Sequence, residues 1–166
     1  LIAAVGGDTV QAVKLFDDSF PDVNLVALVD FDNDCVGTSL KCCEALGDRL
    51  WGVRLDTAAT MVDRSMIPLM GEEPPTGVTP RLVECTRREL DRHGYEHVRI
   101  IVSGGFDPDR IRMFEAMDVP VDAYGVGSSL LRGNTDFTAD VVVVEGRACA
   151  KKGRHYLPNP RLELVE

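Results

Sequence analysis

The sequence predicts an α/β protein built on a parallel β-sheet. Apolar runs typical of strands alternate with segments of helical pattern along most of the chain, which is the order that βα units produce. Three of these runs end in a polar or glycine-rich turn, and parallel α/β proteins form their functional sites at such turns. The three segments are GVRLDT at 52–57, VSGGFD at 102–107 and DAYGVGSSL at 122–130.

Composition is that of an ordinary globular protein with one sizeable core. The 166 residues are 45% hydrophobic and 27% charged, and no apolar run reaches the roughly 18–20 residues that a membrane-spanning helix needs. A net charge of −9 disfavours non-specific binding to nucleic acid or to an anionic membrane. Five cysteines without paired spacing indicate reduced thiols rather than disulfides or a zinc site. We therefore expect a cytoplasmic protein with no membrane or nucleic-acid partner and no metal site of its own.

The first part of the chain contains two predicted helices and two predicted strands. Asp8 or Thr9 can cap the first helix, and Pro21 closes it. The continuous apolar run that follows is typical of a strand buried on both faces. In order, the predicted elements are a helix ending near Phe20, a strand at 24–30, a helix at 35–46 and a strand at 49–56.

A long stretch without a regular pattern, 58–78, separates these elements from the next ones. Stretches of this length in a compact domain are commonly functional or mobile. Thr79-Pro80 and Asp107-Pro108 each join a capping residue to a proline at the first helical position, which predicts two helix starts. The predicted elements are a helix to about His93, a strand at 97–104, a helix to about Met117, a strand at 120–126 and a short turn or helix from Ser128.

The pattern changes after Asp136. Residues 138–146 and 147–153 have the pattern of two antiparallel strands that turn at Glu145-Gly146, and an extended tail follows. From the residues alone, the four βα steps before this point fit either an open four-stranded sheet or part of a barrel. We predict a domain division into residues 1–135 and 136–166.

The two glycine-rich turns predict a binding site for a phosphorylated sugar. Glycine lets the backbone approach a ligand closely, and N–H groups at a helix start favour a phosphate. The first turn is Ser103-Gly104-Gly105, and the second is Gly125-Val126-Gly127-Ser128. Each turn alone could be no more than a tight strand end, but together they match the paired loops that hold a phosphate in many barrels.

Arg54 and Asp56 are two residues apart on a strand, so both side chains lie on the same face. An arginine suits a pyrophosphate, and an aspartate suits ribose hydroxyls or a magnesium ion. The alternative interpretation is a salt bridge at the strand end. Thr57 follows directly and is included among the predicted binding residues, and Asp30 at the end of the first strand is a further candidate.

With these segments in place, the chain resembles the C-terminal half of the nicotinate phosphoribosyltransferases. GVRLDT, IVSGGFD, VDAYGVGSSL and DFTADVVVVEGRACAKKGR follow the order and approximate spacing of that family over nearly the whole chain. The resemblance implies a type II phosphoribosyltransferase with an irregular parallel α/β barrel and a β-rich domain assembled from both chain ends. Residues 1–135 would then be the C-terminal portion of the barrel, and 136–166 would be strands and a tail of the β-rich domain.

The resemblance also implies a reaction. Nicotinate and phosphoribosyl pyrophosphate would give nicotinate mononucleotide and pyrophosphate in NAD biosynthesis, with Mg²⁺ required, ATP as co-substrate and a homodimer that shares its active sites. Asp30 would lie near the reacting ring, and Arg54 and Asp56 would face the ribose and pyrophosphate; Asp30 and Asp56 are the predicted catalytic residues. The predicted phosphate-binding residues are Ser103, Gly104, Gly105, Gly125, Gly127 and Ser128. Departure of pyrophosphate leaves positive charge on the ribose, so positioning and electrostatics matter more than a nucleophile.

We expect two departures from the family: the N-terminal half is absent, and so is the cysteine-rich metal module in which some members end. The family's N-terminal half carries a phosphorylatable histidine, and none of His93, His97 and His155 matches it. We therefore expect an N-terminally incomplete chain that is inactive alone. The alternatives are a quinolinate phosphoribosyltransferase-like enzyme, a non-catalytic phosphosugar-binding remnant, and an unrelated phosphate-binding barrel such as an aldolase. GVGSSL and the ending at 136–154 favour the nicotinate branch.

Overall fold

Four parallel strands form the sheet of the larger part of the chain. The computed structural model describes residues 1–71, 74–131 and 140–161, and the chain divides into two compact units, Leu1–Arg132 and Gly133–Glu166. In the first unit the strands are hydrogen-bonded in the order β1-β2-β3-β4, and every pair is parallel. They are β1 Leu25–Leu28, β2 Leu50–Leu55, β3 Arg99–Val102 and β4 Ala123–Tyr124. The predicted α/β class with a parallel sheet is confirmed, with strands shorter than predicted.

The helices begin where the sequence places their capping residues. They are α1 Thr9–Ser19, α2 Cys35–Leu46, α3 Pro80–Arg92, α4 Pro108–Ala116 and α5 Ser128–Leu131. The Thr79 and Asp107 side chains accept hydrogen bonds from main-chain N–H groups in the first turns of α3 and α4, so both predicted starts are confirmed. At α1 the capping residue is Asp8 rather than Thr9. No helix of the described ranges is long and apolar enough to cross a membrane.

The sheet is fully buried on one face and only partly covered on the other. In β2, Val53 and Leu55 are buried while Arg54 between them is exposed, and in β1 Val26 and Leu28 are half-buried. The prediction that the first strand is buried on both faces is therefore wrong, because its second face is only partly covered by the described residues. The buried face packs with the helices into a core that includes Leu82, Leu90, Phe106 and Phe114.

The stretch at 58–78 is more ordered than its sequence suggests. It contains a 3₁₀ helix at Arg64–Leu69 and an isolated antiparallel bridge between Val62 and Thr76. The Asp63 carboxylate is fully buried and accepts hydrogen bonds from the N–H of Cys35 at 2.8 Å and from the N–H and hydroxyl of Ser65. This one side chain therefore joins the stretch to the start of α2.

We expect Asp63→Ala to lower the free energy of unfolding by about 2–3 kcal/mol, because it leaves the buried N–H of Cys35 and the two part-buried donors of Ser65 without this acceptor. Urea unfolding measures the loss. Asp109→Ala is the control: the Asp109 side chain is 91% exposed, so its change should stay within about 0.5 kcal/mol. A loss below about 1 kcal/mol for Asp63→Ala would show that the carboxylate does not anchor the stretch.

The described part of the second unit, residues 140–161, contains a short hairpin. Strands β5 Val143–Val144 and β6 Arg147–Ala148 pair antiparallel. The predicted turn at Glu145-Gly146 is confirmed, with φ of 50° and 77° at the two residues. Both strands are shorter than predicted, and the predicted domain boundary between 135 and 136 lies outside the described residues.

Candidate functional site

Four candidate residues follow the sheet strands in one row. The pairing places Leu28, Arg54, Ile101 and Ala123 side by side on the half-covered face. Because side chains alternate along a strand, the residues two positions further share this face at the carboxyl ends. These residues are Asp30, Asp56, Ser103 and Gly125. Main-chain bonds extend the ladder to this row, since the Ser103 N–H donates to the Leu55 carbonyl at 2.9 Å and that of Gly125 to the Val102 carbonyl at 2.7 Å.

Gly104 lies directly against Asp56. A Cβ atom at Gly104 would lie 2.9 Å from Asp56 Oδ1, and the residue has φ +88°, a conformation that glycine adopts without strain. At Gly125, a Cβ atom would lie 2.9 Å from the Cβ of Ser103. The positive φ favours glycine at position 104 and the close approach to Ser103 favours it at position 125, and the two turns pack next to each other and next to Asp56.

The two glycine turns lie at the same end of the sheet, as predicted. They follow β3 and β4, which are parallel neighbours, and the Ser129 hydroxyl donates to the Phe106 carbonyl at 3.1 Å, which joins the start of α5 to the first turn. Within the described residues, the N–H groups of Gly104, Gly105 and Gly127 donate to no protein acceptor. They are free to bind an anion, and Ser128 is the first residue of α5 beside them.

Arg54 and Asp56 form only a weak ion pair. Arg54 Nη2 lies 4.0 Å from Asp56 Oδ2, and the two side chains are 45% and 36% exposed. Exposed pairs at this separation contribute little to stability. The salt-bridge interpretation therefore gives these residues no strong structural role, and both side chains remain available to a ligand.

Asp30 carries an unfavourable charge. Burial raises the pKa of its carboxyl, as does the nearby charge of Asp56, while a backbone hydrogen bond and Arg54 act in the opposite direction. Its Oδ1 atom is buried and has no hydrogen-bond partner among the described residues. A buried acceptor without a partner beside other charged groups is typical of a functional site.

We expect Asp30→Asn to stabilise the fold at pH 7 and to have a smaller effect at acid pH. Because the folded-state pKa is raised, the folded protein binds the Asp30 proton more tightly than the unfolded chain, and stability falls as pH rises through that pKa. Asparagine does not titrate, so the variant does not lose this stability as the pH rises. Urea midpoints of both proteins at pH 7 and pH 4 test the effect; a destabilised variant at pH 7 would show that the ionised carboxylate supports the fold.

Thr57 lies apart from the row. Its side chain is 2% exposed, and its hydroxyl oxygen lies 3.5 Å from the Cys35 sulfur in the core. Burial and the charge of Asp63 raise the pKa of the Cys35 thiol, so this thiol stays protonated and unreactive. The side chain of Thr57 is thus not brought together with Arg54 and Asp56, and its binding role stays a prediction.

Two residues at this end of the sheet were not predicted from the sequence. Asp63 lies in a stretch without a pattern, and no local signal marks it. Arg110 is in the first turn of α4, where its guanidinium donates to the Gly104 carbonyl at 2.8 Å. A basic residue in the first turn of a helix opposes the helix dipole, and this signal could have singled it out.

Comparison with known proteins supports the resemblance. No protein-family model matches the chain. Two nicotinate phosphoribosyltransferases from Mycobacterium tuberculosis are 43% identical over 61 residues and 39% identical over 56 residues. These matches cover 37% and 34% of this chain but 13% and 12% of the relatives, so the chain spans only a small part of their length.

A solved structure matches nearly the whole chain. The crystal structure of nicotinate-nucleotide pyrophosphorylase from Pyrococcus furiosus is 39% identical, with a TM-score of 0.64 over 93% of this chain. The chain covers 36% of that structure. The resemblance to the nicotinate phosphoribosyltransferases that the sequence motifs indicate is therefore confirmed, over a chain that is shorter than these relatives.

Proposed function

We propose that this chain holds the phosphoribosyl group in a phosphoribosyltransferase of NAD biosynthesis that acts on nicotinate. The observation that carries the proposal is the row of Asp30, Asp56, Ser103 and Gly125, next to glycine N–H groups that have no acceptor within the described residues. The proposal is also supported by the functions that the names of the similar proteins state and by their sequence identity to this chain. In the proposed reaction, nicotinate and phosphoribosyl pyrophosphate give nicotinate mononucleotide and pyrophosphate.

Each part of the row has a proposed role. The N–H groups of Gly104, Gly105 and Gly127 bind the 5′-phosphate, with the adjacent Ser103, Gly125 and Ser128 completing the two turns. Arg54 binds the pyrophosphate. As pyrophosphate leaves, positive charge develops on the ribose, and the Asp30 and Asp56 carboxylates stabilise that charge without forming a bond to it. No protein nucleophile is required, because the ring nitrogen of nicotinate bonds directly to the ribose C1 carbon as the bond from that carbon to pyrophosphate breaks.

The carboxylates also fit a magnesium ion that arrives with the substrate. Mg²⁺ prefers oxygen ligands and is commonly held by one or two carboxylates together with substrate phosphates. Asp30 offers a buried oxygen that has no hydrogen-bond partner in the described part of the chain, and Asp56 is partly exposed nearby. When bound, Mg²⁺ would offset the charge of the leaving pyrophosphate. ATP as co-substrate, a homodimeric complete protein and a cytoplasmic location are proposed from the family resemblance.

Product analysis on the full-length protein tests the proposed function. The protein is incubated with phosphoribosyl pyrophosphate, Mg²⁺ and either nicotinate, nicotinamide or quinolinate, with and without ATP, and mononucleotides are identified by mass spectrometry. We expect nicotinate mononucleotide from nicotinate, formed faster with ATP. Product from quinolinate alone would favour the quinolinate-type enzyme. Binding of ribose 5-phosphate without any product would favour a non-catalytic phosphosugar-binding protein.

A further inference from the structure

Arg110 links the first glycine turn to a distant segment. Its two terminal nitrogens donate to main-chain carbonyls, one to Gly104 at 2.8 Å and the other to Val78 at 2.5 Å. Its guanidinium carbon lies 4.2 Å from the centre of the Phe106 ring. A single side chain therefore holds the turn after β3 against the segment before α3.

The positive charge of Arg110 lies at a helix N-terminus and is partly buried, and both conditions disfavour a cation. Arg110 lies in the first turn of α4, where the helix dipole disfavours a cation, and burial lowers the pKa of its guanidinium, while the nearby charge of Asp107 acts in the opposite direction. Within the described residues, no carboxylate forms an ion pair with it at 4.0 Å or less. Its positive charge is therefore left close behind the glycine turn.

The hydrogen bond to Gly104 also sets the direction of a neighbouring N–H group. In a planar trans peptide, the carbonyl of one residue and the N–H of the next point in opposite directions. Because the Gly104 carbonyl points toward Arg110, the Gly105 N–H points away from it, and that N–H has no protein acceptor among the described residues. Arg110 thus determines the side of the turn to which the Gly105 N–H points.

We propose that Arg110 is a positioning residue for the phosphoribosyl group: it orients the Gly104–Gly105 peptide toward the 5′-phosphate and places a positive charge behind it. This inference rests on the proposed function and assigns that function a residue outside the ligand contacts. The 5′-phosphate keeps its charge throughout the transfer, so its contacts stabilise the ground state and the transition state equally. Loss of such contacts raises KM and leaves kcat nearly unchanged.

The test uses two replacements of Arg110 and a matched control in the full-length protein. Arg110→Met keeps the apolar stem but removes the charge and both donors, and Arg110→Lys keeps the charge but replaces the two separate donor nitrogens by one. We expect KM for phosphoribosyl pyrophosphate to rise about tenfold in Arg110→Met and about threefold in Arg110→Lys, with kcat within about twofold of wild type. Arg112→Met should leave both constants unchanged, because Arg112 lies on the same helix with a side chain 72% exposed.

Competition experiments separate positioning from general damage. In Arg110→Met, the inhibition constant of ribose 5-phosphate should rise in parallel with KM, while that of inorganic pyrophosphate should stay unchanged. If the inhibition constants of ribose 5-phosphate and of inorganic pyrophosphate rise together, the whole site is damaged and the positioning role of Arg110 is overturned. So would an unchanged KM in a folded variant. If Arg110→Met does not fold, Arg110→Lys decides by the same criteria.

Calorimetry with ribose 5-phosphate distinguishes this inference from the proposed function. If the wild type transfers no phosphoribosyl group but binds ribose 5-phosphate, the proposed function fails while the role of Arg110 is still measured by the loss of affinity in Arg110→Met. Equal affinity in the two proteins, or no binding by the wild type, would overturn the inference.

Discussion

Replacement of Asp56 by asparagine should lower kcat by roughly a hundredfold or more, with almost no change in melting temperature. Asparagine has nearly the same shape, so it fits beside Gly104 as the aspartate does. What it removes is the negative charge next to the developing positive charge of the ribose. Stability should be preserved because the ion pair of Asp56 with Arg54 is long and partly exposed.

The experiment compares kcat and melting temperature of Asp56→Asn with those of Asp109→Asn. Asp109 is 91% exposed and lies outside the site, so its replacement should leave both quantities unchanged. A large fall in melting temperature, with turnover per folded molecule intact, would identify Asp56 as a structural residue and remove it from the mechanism.

Replacement of Gly104 by alanine should lower kcat/KM by about a hundredfold and also cost stability. The residue has φ +88°, which strains an alanine by about 1–2 kcal/mol. The added Cβ atom would also lie 2.9 Å from Asp56 Oδ1, so either the turn or the carboxylate must move. The replacement therefore displaces site residues from their positions, in addition to lowering the stability of the fold.

Gly94→Ala is the matched control for the backbone strain. Gly94 has φ +79°, and a Cβ atom there would meet nothing within 4 Å. It follows α3, away from the row of site residues. We expect a similar loss in the free energy of unfolding and no loss of activity per folded molecule. Equal activity losses in the two variants would show that strain alone, and not contact with Asp56, explains the effect at Gly104.

The parts of the fold that could be predicted depend on local signals. Thr79-Pro80 and Asp107-Pro108 carry their helix starts in adjacent residues, and the glycine turns directly follow apolar runs. Parallel pairing then brings the turns together without further information. The position of Thr57 was also within reach, because alternation along the strand places Leu55 and Thr57 on the buried face and Asp56 on the other.

The parts that could not be predicted depend on contacts between distant segments. The Asp63 carboxylate binds the N–H of Cys35, and Arg110 binds the Val78 carbonyl, 28 and 32 residues away in the chain. Neither hydrophobic periodicity nor a capping pattern predicts hydrogen bonds between segments so far apart in the sequence. The hairpin was predicted too long for a different reason: the valine run at 141–144 favours a strand throughout. Among the described residues, however, the strand pairing covers only Val143 and Val144, with one further hydrogen bond from the Cys149 N–H to the Val142 carbonyl.

A crystal structure of the full-length protein with bound ribose 5-phosphate would show directly whether the two glycine turns hold one phosphate. We expect phosphate oxygens within about 3.2 Å of the main-chain nitrogens of Gly105 and Gly127, with the ribose next to Asp56. A phosphate bound at the amino ends of the strands, or at the carboxyl ends without contact to either glycine nitrogen, would contradict this expectation.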